Sequence, residues 1–309
     1  MVHTIIGSGV YNYDVINKCE YPNGFVVGKR NKSEVQHVAS EVGGTCGNVM
    51  CILANMGWGA FPQAQLDMSD AGYQIVESLM KYGCDTRFVE NIPNGGTTIC
   101  ECTHKLDNMT GEHKMGVRCS NGKGSPFVSR KQLRARDEVP MFLNRLDFVP
   151  SFYFFDQAEA GPRAIADALS SKGALVYFEP ENDHDTRKFL SAVEQSDIIK
   201  FSGERIPDVS FTNKFSGRLF IQTKGADGVQ FRLSTGEWQL VPPVPVDNVV
   251  DWEGAGDWTT AAFINAIANR GIRRINQLSH KIIRECLAEA QAVAAKSIGY
   301  MTPKGMITL

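Results

Sequence analysis

The chain has 309 residues, enough to bury a large core as one α/β domain with an appendage or as two small domains. Its 32 Lys and Arg nearly balance 34 Asp and Glu, so no global field recruits nucleic acid or an anionic membrane surface. Eight scattered cysteines form no C-x-x-C pair and no zinc spacing, and no apolar run approaches membrane length, which describes a reduced, cytoplasmic protein.

Met1 to Gly7 has no charged leader and reads as a first strand. Gly7-Ser8-Gly9-Val10-Tyr11-Asn12 then begins like a dinucleotide fingerprint. The third glycine is missing and Tyr13-Asp14-Val15-Ile16 continues as strand, so a dinucleotide fold is not expected. Residues from about 12 to 37, and again from about 96 to 119, read as strands and turns with no helix between them. The segment Asp107-Asn108-Met109-Thr110-Gly111 has hairpin chemistry.

After Gly43-Gly44, the apolar residues Val49, Ile52, Leu53 and Met56 recur at helical spacing up to Gly57. A second helix starts near Ser69 or Asp70, runs through Val76 and Leu79, and ends at Gly83. Phe152 to Phe155 is a short apolar strand, and Arg163 to Lys172 a helix closed by Gly173. Ala174 to Phe178, Asp197 to Phe201 and Leu219 to Thr223 are further buried-type strands. Helical segments separate them, apart from the proline-broken connection from Gly203 to Arg218. That alternation predicts a mainly parallel sheet wrapped by helices.

At Asp251-Trp252-Glu253-Gly254-Ala255-Gly256-Asp257 two glycines bracket an alanine where the chain enters an apolar helix. A helix start carries unpartnered N–H groups and partial positive charge, and small residues let an anion approach them. Asp257 would stand beside that anion, placed to take a proton, which is what phosphoryl transfer to an alcohol requires. The same residues also read as a glycine-rich turn with an N-terminal helix acid.

This heptad resembles the second signature of the ribokinase-like (PfkB) carbohydrate kinases. Their first signature resembles Gly43-Gly44-Thr45-Cys46-Gly47-Asn48, and their nucleotide loop resembles Thr223-Lys224-Gly225-Ala226-Asp227-Gly228. The three motifs stand in the family's order, and the likeness in element order covers nearly the whole chain. The resemblance implies one ribokinase-like α/β domain over 1–309, its small β-lid formed by the strands near 12–37 and 96–119. It also implies ATP and Mg²⁺, and a homodimer through the lid, whose apolar sheet edge favours pairing.

On this reading Gly254, Ala255 and Gly256 hold the migrating phosphoryl group and Asp257 is the base. Asn12 and Asp14 offer paired donor and acceptor groups to a polyol. Gly43 and Gly44 bring backbone close to that polyol, and Asn48 contacts it from the first helical turns. A turn cap by Asp14 and an ordinary cap by Asn48 remain open. Thr223, Gly225 and Gly228 face the nucleotide, unless they only form a hairpin turn into Val229 to Leu233. Asp251 orients the loop or a monovalent cation, K⁺. Cys46, with no nearby His or Lys, is a filler thiol.

No G-x-x-x-x-G-K-[ST] loop occurs, so this is not a P-loop enzyme. The chain departs from the family at three places. In Ser202-Gly203-Glu204-Arg205 the expected metal-handling Glu stands one position early, as Glu204, and Arg205 takes its place. Trp252 and Glu253 replace small residues, and Glu253 adds charge beside the phosphate hole.

The leading expectation is an ATP-dependent kinase acting on a hydroxyl of a small sugar or sugar acid, to which Glu179-Pro180-Glu181-Asn182 adds a hint of a sugar-kinase loop. Two alternatives stay open. One is a nucleoside kinase, with Tyr11 or Tyr13 stacking on the base; the other is a binding protein of the same fold with weak or lost catalysis.

Overall fold

The computed structural model describes residues 2–21, 35–107, 109–110, 113–121, 130–247 and 249–307. The expected strand-and-turn segment 12–37 falls partly outside them, as do positions 108 and 111 of the expected hairpin turn. From the N-terminus run β1 (Thr4–Ser8), β2 (Asn12–Tyr21), β3 (Val35–Gly43), α1 (Thr45–Asn55), β4 (Gly59–Leu66), α2 (Asp70–Lys81) and β5 (Phe88–Asn91). Next come β6 (Thr98–Asp107), β7 (His113–Asn121), α3 (Glu138–Asn144), β8 (Phe152–Phe155), α4 (Ala160–Ser170), β9 (Leu175–Phe178) and α5 (Thr186–Glu194). The chain continues through β10 (Ile198–Ser202), β11 (Leu219–Thr223), β12 (Val229–Leu233), β13 (Gln239–Val241), α6 (Ala255–Asn269) and α7 (His280–Ser297).

The main sheet has the order β13-β12-β11-β10-β9-β8-β1-β4-β5. It is parallel from β11 to β5, while β12 and β13 run antiparallel at one edge. Strands β8 and β9 are buried at every position, which is why they read as unbroken apolar runs. Alternate side chains face opposite layers: Phe152 and Phe154 join the core formed with α1, α2, α6 and α7. Tyr153 and Phe155 join the one formed with α3, α4 and α5. Each such side chain contributes about 1.5–3 kcal/mol by leaving water, giving the loops at the strand ends a stiff base. The α/β class with a mainly parallel sheet and a small separate sheet is therefore as expected.

That second sheet has the order β3-β2-β6-β7. β2 pairs parallel with β6, from Asn12↔Thr98 to Tyr21↔Asp107, and antiparallel with β3. The Asp107 carboxylate accepts from the N–H groups of Met109 and Thr110 at 2.9 and 3.0 Å, opening the turn towards β7. The connection after β10 holds only a short 3-10 turn, Ser210–Lys214, in keeping with Pro207.

The start of α1 is capped from another strand. Gly44 has φ 80° and no side chain to cap with. Asp156, one residue past β8, accepts instead from Cys46 N at 3.0 Å and from Val10 N at 3.0 Å. This buried carboxylate thereby ties the ends of β1 and β8 to the first turn of α1, although burial still pushes it up to about 8.

Candidate functional site

Helix α6 starts where Gly254 takes a left-handed conformation, φ 77°. A Cβ there would lie 2.6 Å from Pro303 Cβ and 2.8 Å from Pro303 Cα, so only glycine lets these segments meet. Trp258, one turn on, donates from Nε1 to Pro303 O at 2.7 Å and locks the same contact. Gly256 is exposed in the first turn, where helical N–H groups lack internal partners. The Lys200 amine from β10 lies 3.7 Å from where a Gly256 Cβ would stand. It is ion-paired with Glu179, whose other oxygen accepts from Thr260 Oγ1 at 2.5 Å. A cationic group therefore backs the helix mouth.

Asp257 stands in that first turn. It accepts from Asn48 Nδ2 at 2.7 Å, so α1 and α6 bring the two signature motifs into direct contact. Neither the polyol contact nor the ordinary cap read from the sequence anticipates this bond. Burial, and secondarily the Glu179 charge, push Asp257 up to about 7; the Asn48 bond and the Lys200 and Lys304 charges oppose them. A carboxyl group titrating near neutrality suits proton acceptance.

The sign of the linkage follows. The folded state holds this proton more tightly than the unfolded chain, whose carboxyl titrates near 3.9. The stabilising contribution is full below that value and is lost as pH rises through about 7. Asp257→Asn abolishes the loss, so its thermal midpoint should gain on wild type between pH 5 and pH 8. A gap that does not widen counts against the raised value.

Asn12, Asp14 and Gly43, expected to hold the polyol, lie together where β2 and β3 pair, with Asn12 opposite Gly43. The Asp14 carboxylate rests against the Gly43 backbone in the space a Cβ would fill. Asn12 Oδ1 and Asp14 Oδ1 are buried without a hydrogen-bond partner, which marks them as acceptors awaiting donors. Burial pushes Asp14 up to about 6, against the Lys304 charge and with Glu41 and Glu253 reinforcing it. Gln132 donates to Gly9 O at 3.2 Å and lines a cavity of about 280 Å³ with Arg130, Gln157 and Glu159, a cavity that Asn12, Asp14 and Gly43 do not line.

The residues expected to face the nucleotide form a separate group at the carboxyl ends of adjacent strands. Thr223 pairs with Ser202 of β10 and accepts from Gly203 N at 2.8 Å through its carbonyl. Gly225 and its neighbours are exposed, and Gly228, at φ 92°, turns the chain into β12. The loop is thus also a hairpin turn. Glu204 and Arg205 follow Gly203 and are exposed.

Asp251 is buried and acts within the protein: it accepts from Glu253 N at 3.0 Å and from Thr302 N at 3.1 Å. Its Oδ2 lies 3.7 Å from Nε2 of His104 on β6, linking this loop to the small sheet. Glu253 is raised by burial and by Asp251, but the Arg205 charge opposes both. Glu253 and Arg205, both singled out in the sequence, therefore act on one another as opposite charges. Among the described residues no group of three or more His, Cys, Asp or Glu could hold a metal ion. Among the described residues no helix is long and apolar enough to cross a membrane.

Sequence reasoning passed over Lys200 and Lys304, and it took Glu179 only as part of a loop hint. The available signal was a lysine inside the apolar run Ile198–Ser202. A buried lysine needs a fixed acid, and Glu179 supplies it. Cys46 is buried, its thiol pushed well up by burial, which suits a filler role. Tyr11 cannot stack on a base: it lies in the core and donates to Gly7 O at 2.7 Å. Tyr13 packs on the same core.

Residues 163–307 match the model of the pfkB family carbohydrate kinases. No curated protein sequence matches the chain. Its fold is similar to that of ribokinase from Giardia lamblia, at 15% identity and a TM-score of 0.70 over 99% of this chain and 96% of that one. Fructokinase with bound ATP from Xylella fastidiosa is 16% identical, with a TM-score of 0.70 over 97% and 93%. Aminoimidazole riboside kinase from Salmonella enterica, complexed with aminoimidazole riboside and an ATP analogue, is 16% identical, with a TM-score of 0.65 over 99% and 97%. Residues 163–307 thus match the pfkB family carbohydrate kinases, and the chain as a whole shares the fold of ribokinase-family kinases.

Proposed function

We propose that the protein is an ATP-dependent kinase that phosphorylates a primary or anomeric hydroxyl of a small sugar or sugar acid. The observation that carries this reading is the Asp257 carboxylate, titrating near neutrality, in the first turn of a glycine-fronted helix. The acceptor hydroxyl gives its proton to Asp257 as its oxygen bonds to the γ-phosphorus of ATP. The bond from that phosphorus to the β,γ-bridging oxygen breaks, and ADP leaves with the electron pair. Gly254, Ala255 and Gly256 present helical N–H groups to the transferred group, and the Lys200 charge lies behind them.

Asn12 and Asp14, with the close Gly43-Gly44 backbone, hold the acceptor's other hydroxyls. The Asn48 amide, bonded to Asp257, steadies the base rather than the sugar. Thr223, Gly225 and Gly228 receive the nucleotide phosphates. Magnesium fits here as an ion bound mainly by phosphates and water, with Glu204 the nearby acid to hold that water. Asp251, already bonded to Glu253 N and Thr302 N, orients the loop and has little left for K⁺. Val35, Val38 and Val117 are exposed on the small sheet, which supports pairing of two lids in a homodimer. The balanced charge supports a cytoplasmic enzyme that binds neither nucleic acid nor membrane.

A nucleoside acceptor is the second reading, favoured by the likeness to a kinase crystallised with a riboside. A coupled ADP-release assay over sugars, sugar acids and nucleosides decides between them. Binding without turnover across the whole panel would instead mark a sensor. With the acceptor found, Asp14→Asn should raise its KM about 10–100-fold while the KM for ATP stays within about twofold. Those figures correspond to one hydrogen bond made by a charged group. An unchanged acceptor KM would remove Asp14 from the site.

A further inference from the structure

The bond from Asn48 to Asp257 has a fixed polarity, and the residue that fixes it lies about 250 positions further along. Lys304 Nζ donates to Asn48 Oδ1 at 2.6 Å, which commits the amide's NH₂ group to the other side, where it donates to Asp257 Oδ2 at 2.7 Å. A flipped amide would set its NH₂ against an ammonium and its oxygen against a carboxylate. Lys304 is itself buried. Its amine lies 3.3 Å from Glu41 Oε1 and 5.8 Å from the centre of the Tyr82 ring, and the Tyr82 hydroxyl donates to the other Glu41 oxygen.

We infer that Lys304 is a positioning residue for the base: it orients the Asn48 amide so that Asp257 Oδ2 is held and Asp257 Oδ1 is left for the acceptor hydroxyl. The inference rests on Asp257 being the base. A cation buried beside two acids and an amide is otherwise costly, and a neutral core side chain there would pack without that cost. Lys304 also faces Asp14, so one charge serves both the base and the polyol-side carboxylate. The other groups facing Asp257 are Glu179 after β9, Lys200 on β10, and Asn48 and Cys46 on α1. Of these, Lys200 is paired with Glu179. Lys304 is thus the cation coupled to the base through an oriented amide.

The test uses the full chain labelled with ¹³C at aspartate carboxyl carbons, the Asp257 signal being assigned by its loss in Asp257→Asn. In Lys304→Met the Asp257 titration should move up by about one pH unit, as expected for removing a cation that lies one amide away from it. In Lys304→Arg it should stay near wild type. Turnover adds a second readout: the acidic limb of the kcat/KM profile should move up with the titration. A role in packing alone lowers kcat at every pH and leaves the limb in place, and that result overturns the inference. So does an unmoved titration in folded Lys304→Met. Where Lys304→Met fails to fold, Lys304→Gln, neutral and able to donate, carries the same test. The titration needs no turnover, so it separates this inference from the kinase reading. Near-normal turnover in Asp257→Asn would remove the base, and the positioning role with it.

Discussion

Asp257→Asn should lower turnover by about 10²–10⁴, equivalent to about 3–5 kcal/mol of barrier, with modest change in acceptor affinity. The substitution keeps the volume and can still accept from Asn48, so the helix mouth and its N–H groups stay in place. What is lost is the proposed proton acceptor. A steady-state comparison of kcat and KM on the best acceptor checks this. Wild-type-like kcat would assign the proton to another group and undo the mechanism. The size of the effect also discriminates: a residue that only bound the sugar would raise KM and spare kcat.

The second large effect is expected at Gly254. Alanine there must hold a left-handed backbone and would press on both Cα and Cβ of Pro303. The backbone strain alone is worth on the order of 1–3 kcal/mol. For a chain of this size, that should lower the thermal midpoint by roughly 2–5 °C. Activity should suffer more than stability. Pro303 is held by the Trp258 indole, and the next residue is Lys304, so pushing this segment away disturbs the proposed base and the proposed phosphate mouth together. A turnover loss of about 10–100-fold is expected from a displacement of under an ångström. A Gly254→Ala protein with unchanged kcat and midpoint would show that the two segments yield without cost.

Much of this was legible in the sequence because the signals are local. The aromatic run at β8 and the apolar runs at β9, β10 and β11 needed only composition, and α1 only the spacing of Val49, Ile52, Leu53 and Met56. Strand β4 went unread: Pro62, Gln63 and Gln65 interrupt the apolar run, and only flanking by β1 and β5 makes it a strand. In the site, the glycine motifs announced themselves because close approach demands glycine. The charged groups around them did not. Lys304, Lys200 and Asp156 acquire partners only when distant segments meet, and no residue near them in sequence predicts those partners.

The hydrogen bond from Lys304 to Asn48 joins residues 256 positions apart. During synthesis, then, a ribosome can release α1, the small sheet and most of the main sheet into solution long before the base is held. Any nascent chain lacking residue 304 lacks one of the two groups that fix the Asn48 amide. Bonds of such long sequence separation form late and slow the search for the native state. Until translation has passed this lysine, the emerging polypeptide lacks the cation that pins the Asn48 oxygen.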